Sequence, residues 1–301
     1  MKSSLSRRRR VLRWITLFVA VAIIVLYIVL PIGVGVSVVL PYQETVGAPP
    51  AGFEAIALTT DDQVTLAAWY KPPINGAAII LIHGAGGSRE GMRPYAEMLA
   101  RHGYGVLALD LRGHGTSAGS INRFGWQGTR DVGAAVAYLK ERSEVKAIGG
   151  LGSSLGGEVL LGAASKYPTL KAVVADGATA RCLNELLTLP SERPLYRNFT
   201  ARVMYAAVQI LSGETPPEPF VDSMIAAPLT SYLLIAGGDN EKEVAFNELF
   251  AASVGEQATL WVAPGARHTG AFGLYPDEYE RRVIAFFDAA LRDESEPGQV
   301  R

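Results

Sequence analysis

The sequence predicts an α/β domain, a mostly parallel β-sheet with helices on both faces, preceded by one transmembrane helix. Three observations predict it. Short Val/Ile/Leu-rich runs without polar alternation recur through the body of the chain, as strands buried on both faces require. Windows of helical length separate them, and alternation of that kind gives a parallel sheet covered by helices. Ahead of both lies a run of 27 residues, 14–40, without a single charge.

In that run 20 residues are large and apolar or aromatic. At about 1.5 Å per residue it spans roughly 40 Å as a helix, more than the ~30 Å hydrocarbon core of a bilayer. It is too long for the apolar stretch of a cleaved signal peptide, and the nearest small-residue site, Val46-Gly47-Ala48, is followed by Pro49. Residues 14–40 therefore read as an uncleaved anchor, with Pro31, Gly33 and Gly35 expected to kink or end the helix before Pro41. Six basic residues and no acid occupy positions 1–13. Such a basic tail is expected to stay cytoplasmic and leave the rest of the chain on the other side of the membrane. Of the 28 basic groups, 22 remain beyond position 13 against 29 acidic ones, a net of −7, which disfavours a nucleic-acid partner. One cysteine in 301 residues excludes a disulfide scaffold and a cysteine-based zinc site.

Residues 41–52 read as a Pro/Gly linker into a domain at 53–292, and 293–301 as a frayed tail. Strands are expected at 53–59, 64–71, 77–82, 105–110, 146–151, 171–176, 231–236 and 258–263. Helices are expected at 90–102, 127–142, 155–166, 241–253 and 276–292. The first two strands have no helix between them, so they are expected to form an antiparallel edge. Residues 179–229 break the alternation; fifty residues exceed a plain connection, and the segment reads as a lid-like insertion. Its shortness suits an open pocket for small or medium acyl groups, or for lipid arriving from a bilayer.

Gly152-Ser153-Ser154-Leu155-Gly156 follows a predicted strand and opens a predicted helix. The pattern G-x-S-x-G fits only with Ser154 at its centre, a serine held on a sharp strand-to-helix turn with its Oγ exposed. Serine needs a base. Of four histidines, His83 ends a buried strand, His102 sits at a helix end and His114 lies in an early loop, whereas His268 follows the last strand on a loop able to reach over Ser154. An imidazole needs an acid to hold its tautomer. Asp239, just past the strand at 231–236, takes that role at the sheet's carboxyl edge, ahead of Asp176. Asp110 comes too early in the chain and reads as loop-fixing. Backbone amides of Ala85 and Leu155 are placed to form an oxyanion hole.

Taken together, His83-Gly84-Ala85-Gly86-Gly87-Ser88, Asp110-Leu111-Arg112-Gly113-His114-Gly115, the serine motif, Ala236-Gly237-Gly238-Asp239 and a late His268 resemble the α/β-hydrolase superfamily over roughly residues 53–292. The block at 70–84 resembles its membrane-anchored, dienelactone-hydrolase-like bacterial members. The resemblance implies an eight-stranded sheet and hydrolysis of carboxylic esters, of carboxylesterase or lipase type, with no metal and no cofactor. Its partners would be a small-molecule or lipid ester and the membrane. Peptidase, amidase or thioesterase chemistry on the same triad, or a non-catalytic scaffold, are the alternatives.

Overall fold

The computed structural model describes residues 2–119, 121–189 and 195–291; the tail read at 293–301 lies outside them. Helix α1 (Lys2–Ile24) passes through a π-helical turn (Val25–Val29) into α2 (Leu30–Val39), so the basic segment is itself helical from Lys2. The helix ends before Pro41 as expected, but it runs through Pro31, Gly33 and Gly35 to Val39 rather than ending at them. A proline ring collides with the carbonyl four residues earlier in a regular α-helix, and the wider π turn lies directly before Pro31. The helix ends at Val39 because Leu40 precedes Pro41 and is extended, with φ −64° and ψ 146°. Among the described residues one helical stretch, Arg7–Val39, is long and apolar enough to cross a membrane, with mean hydropathy 3.0.

The body continues as β1 (Tyr42–Gln43), β2 (Glu54–Thr59), β3 (Thr65–Lys71), β4 (Ala77–Ile82), α3 (Arg93–Arg101), β5 (Gly105–Leu109) and β6 (His114–Gly115). Next come α4 (Gly128–Lys140), β7 (Ala147–Ser153), α5 (Leu155–Ala163), β8 (Leu170–Asp176), α6 (Leu183–Thr188), α7 (Leu195–Ser212) and α8 (Phe220–Ile225). The chain closes with β9 (Ser231–Gly237), α9 (Glu241–Val254), β10 (Ala258–Ala263), α10 (Ala271–Leu274) and α11 (Pro276–Leu291).

Among the described residues eight strands form one sheet in the order β10-β9-β8-β7-β4-β5-β3-β2. All neighbours are parallel except β3, which runs against both β2 and β5. The predicted sheet and its antiparallel edge are therefore present. Successive residues of β4 serve opposite faces: Ile80 and Ile82 enter the core that includes α5 and α9, while Ile79 and Leu81 enter the one under α3 and α11. Every β4 side chain is fully buried, at about 1.5–3 kcal/mol for each large one. This central strand ends beside β7, with Ile82 opposite Gly152, which fixes the level of the candidate site.

The segment read as a linker, 41–52, is fastened along the rim of the domain. Tyr42 N–H donates to the Gly113 carbonyl (2.7 Å), and β1 pairs with β6. Asn122 holds the end of the N-terminal helix, its N–H on the Val39 carbonyl (3.0 Å) and its Nδ2 on that of Leu40 (2.7 Å). The insertion supplies α6, α7 and α8, and α7 packs on α2. A Cβ on Gly35 would stand 2.9 Å from both the Ala207 Cβ and the Met204 carbonyl, so the absent side chain at 35 lets the helices cross closely.

Candidate active site

Ser154 caps α5 directly after β7, with φ 49° and ψ −116°. A positive φ is costly for any residue with a Cβ, and here the surroundings leave no alternative. Its N–H donates to the Asp176 carbonyl (2.6 Å) and its carbonyl accepts from Glu158 N–H (3.0 Å). The glycines two positions either side are needed for contact: a Cβ on Gly152 would lie 2.2 Å from the Gly156 carbonyl carbon, and one on Gly156 2.3 Å from the Ile82 oxygen. The serine is thus held out at the strand-to-helix turn, half-buried and open to a substrate.

His268 comes from the loop after β10, and its Nε2 lies 2.8 Å from Ser154 Oγ. On its other side Nδ1 lies 2.5 Å from Glu243 Oε2. The two expected partners, 114 residues apart in sequence, therefore meet, but the acid on the ring is not the expected one. Asp239 is exposed, with its N–H on the Ala266 carbonyl (2.9 Å). The carboxylate on the ring stands four residues beyond Asp239. Asn240 caps α9, accepting from Glu243 N–H (3.3 Å), so Glu243 stands in the first helical turn. From there its longer side chain folds back, accepting from Gly237 N–H (2.6 Å) and Asn240 Nδ2 (3.1 Å). Glu243 is fully buried, and the positive end of the α9 dipole favours its charge. A signal was present: Asn-x-x-Glu is a helix-start pattern that turns the glutamate back toward the preceding loop.

The Glu243 carboxylate raises the His268 pKa above the usual imidazole value, against an opposing effect of burial. Of the predicted oxyanion donors, Leu155 opens α5 and Ala85 is exposed in the turn after β4. That turn lies beside the serine, since a Cβ on Gly84 would be 3.4 Å from Ser154 Cβ. His83 holds the turn. Its Nδ1–H donates to the Gly84 carbonyl (2.7 Å) and its Nε2 accepts from Leu111 N–H (3.1 Å). Complete burial keeps that ring neutral, its pKa pushed down to about 3. His102 instead meets Glu280 at the surface (2.7 Å). Asp110 accepts from Arg89 N–H (2.6 Å) and Thr116 N–H (2.8 Å), pairs with the Arg89 guanidinium, and so pins the loops around it. Among the described residues no three His, Cys, Asp or Glu side chains stand close enough to hold a metal ion.

Residues 77–219 match a protein family described as the alpha/beta hydrolase fold. That span contains the serine turn and the β4 turn, and the solved structure of the Pyrococcus furiosus esterase Pf2001 superposes with a TM-score of 0.65, at 24% identity, over 84% of this chain and 98% of that one. The chain has the α/β-hydrolase fold. The uncharacterized protein YfhR of Salmonella typhi is 25% identical over 96% of this chain and 99% of its own length. A thermostable monoacylglycerol lipase of Bacillus sp. is 33% identical over a shorter stretch, 32% of this chain and 38% of that protein.

One buried acid of the domain lies outside the hydrogen-bonded chain of Ser154, His268 and Glu243. Asp176 ends β8, and neither carboxyl oxygen has a hydrogen bond of good geometry, although Tyr279 stands beside it. Burial pushes its pKa up to about 7. Because the folded pKa lies above the ordinary value near 4, the folded state binds this proton more tightly than the unfolded state. Stability therefore falls as pH rises from about 4 to about 7, by a few kcal/mol at most. Asp176→Asn removes that loss. Urea unfolding is expected to show little change at about pH 4 and a gain of about 1–3 kcal/mol at pH 8.

Proposed function

We propose that the chain is a membrane-anchored serine hydrolase of carboxylic esters, working through Ser154, His268 and Glu243. The observation that carries this reading is the continuous contact from Ser154 Oγ to His268 Nε2 and from His268 Nδ1 to Glu243. With Nδ1–H donated to Glu243, the Nε2 lone pair faces the hydroxyl. Ser154 attacks the ester carbonyl as its proton passes to Nε2, and the amides of Ala85 and Leu155 hold the oxyanion. Each such donor is worth about 3–4 kcal/mol in the transition state. The alcohol departs with the proton from Nε2. Water, deprotonated by the same ring, then attacks the acyl-serine and releases the acid. The esterase and lipase among its relatives favour an ester substrate.

Residues 7–39 serve as the anchor in this reading. Arg7, Arg8, Arg9, Arg10 and Arg13 hold the N-terminus in the cytoplasm, and the hydrolase domain faces the opposite side. Detergent-solubilised protein is expected to be labelled by a fluorophosphonate probe at Ser154. It should hydrolyse p-nitrophenyl butyrate far faster than the matched anilide. Folded protein that takes up no probe would mark the domain as a scaffold, and comparable rates on both substrates would mark an amidase.

A further inference from the structure

A groove of about 1250 Å³ runs between α2, α7 and α9, lined chiefly by apolar side chains such as Val34, Leu186, Met204 and Leu249. One wall is the N-terminal helix itself, through Leu26, Leu30, Pro31 and Val34, all within the membrane-length stretch. Beside it, α7 is fixed at two levels. Tyr196 meets Tyr27 edge-on at 6.1 Å between ring centroids, and Ala207 meets Gly35. Positions 27 and 35 are about 12 Å apart along a helix axis. The N-terminal end of α7 thus descends along the apolar helix, away from the point where Asn122 holds its exit.

That descending end is not built for water. Leu195, Tyr196 and Phe199 are 88%, 52% and 48% exposed, and Arg197 and Arg202 lie among them. Exposed Leu, Tyr and Phe interleaved with Arg suit a helix seated in a bilayer interface. Packed side chains join the groove to the Ser154 turn. Tyr205 lines the groove and stands 6.2 Å from the Phe124 ring. The neighbouring Gly125 is pressed against Leu155, the residue after Ser154. Glu241 lines both the groove and a cleft beside His268.

We propose that this groove is the acyl-chain subsite for a single-chain lipid ester entering sideways from the bilayer, between the N-terminal helix and α7. The proposal rests on the hydrolase reading above and adds its substrate class. The charged residues on the lining, Arg197 and Lys242 against Glu241 and Glu248, balance, so the groove as a whole favours neither an anionic nor a cationic lipid, and an uncharged monoacylglycerol serves as the probe. Ser154 takes the acyl group, the alcohol leaves with the His268 proton, and water releases the fatty acid.

The test uses the full chain in phosphatidylcholine nanodiscs with 1-monopalmitoylglycerol and p-nitrophenyl acetate as substrates. Ala201→Trp and Ala252→Trp fill the groove from opposite walls. Each is expected to lower the ratio of long-chain to short-chain kcat/KM at least tenfold. An unchanged ratio in both variants overturns the proposal. A readout without turnover separates the two readings: Ser154→Ala protein is irradiated with a monoacylglycerol carrying a mid-chain diazirine. Adducts on α2, α7 or α9 that Ala201→Trp abolishes support the groove, and adducts confined to the outer face of the N-terminal helix overturn it. Groove adducts on a wild-type protein that hydrolyses neither ester would retain the lipid site and overturn the hydrolase reading.

Discussion

Replacing Ser154 by alanine is expected to lower ester hydrolysis by about 10⁴- to 10⁶-fold and to abolish fluorophosphonate labelling, the magnitude seen when a nucleophile is removed from a serine triad. The fold should survive. Alanine keeps the Cβ that already sits at φ 49°, so the turn is no more strained than before, and its hydrogen bonds to Asp176 and Glu158 are made by the backbone. Thermal unfolding should therefore shift little while activity disappears. Ser153, the last residue of β7, supplies the control: Ser153→Ala is expected to retain labelling. Labelling that persists in Ser154→Ala but is lost in Ser153→Ala would move the nucleophile by one residue and cancel the assignment.

Much of this arrangement was legible in the sequence, for a physical reason. Strands such as β4 and β8 are buried on both faces, so their residues must be apolar throughout, and an apolar run marks its own ends. The predicted limits of both lie within one residue of those observed. The serine turn was legible because contact between backbones demands glycine at 152 and 156. Other features depend on partners distant in sequence. The two-residue pairing of β1 with β6 follows from bonds to Gly113 and Gly115, and the hold on the end of the N-terminal helix from Asn122, none of which a local pattern announces. The start of α7 at Leu195 has no local mark, because Leu195, Tyr196 and Phe199 face outward and supply no core periodicity. The acid was misplaced for a third reason. Proximity along the chain favoured Asp239, whereas the helix start at Asn240 and one extra methylene decide which carboxylate reaches the ring.

That correction carries the second large effect. Glu243→Gln is expected to lower kcat/KM by about 10³- to 10⁴-fold, while Asp239→Asn stays within about twofold of the parent. Glutamine matches glutamate in shape, and its single carbonyl oxygen keeps the buried Gly237 N–H that Glu243 Oε1 now accepts, so the NH₂ takes the Oε2 position against Asn240 Nδ2 and His268. Its NH₂ then faces His268 Nδ1. A donor there forces the proton onto Nε2, the nitrogen that must accept from Ser154, and a triad held in the wrong tautomer loses about 10⁴ in rate with its geometry intact. A pH profile separates this from simple misfolding. The Glu243 contact is the foremost cause of the raised His268 pKa, and the ring acts as a base only when unprotonated. The acidic limb of the parent should therefore lie above the ordinary imidazole value near 6.5, and in Glu243→Gln the residual activity should show that limb moved to lower pH. An unmoved limb, or a larger loss from Asp239→Asn, would return the acid to position 239.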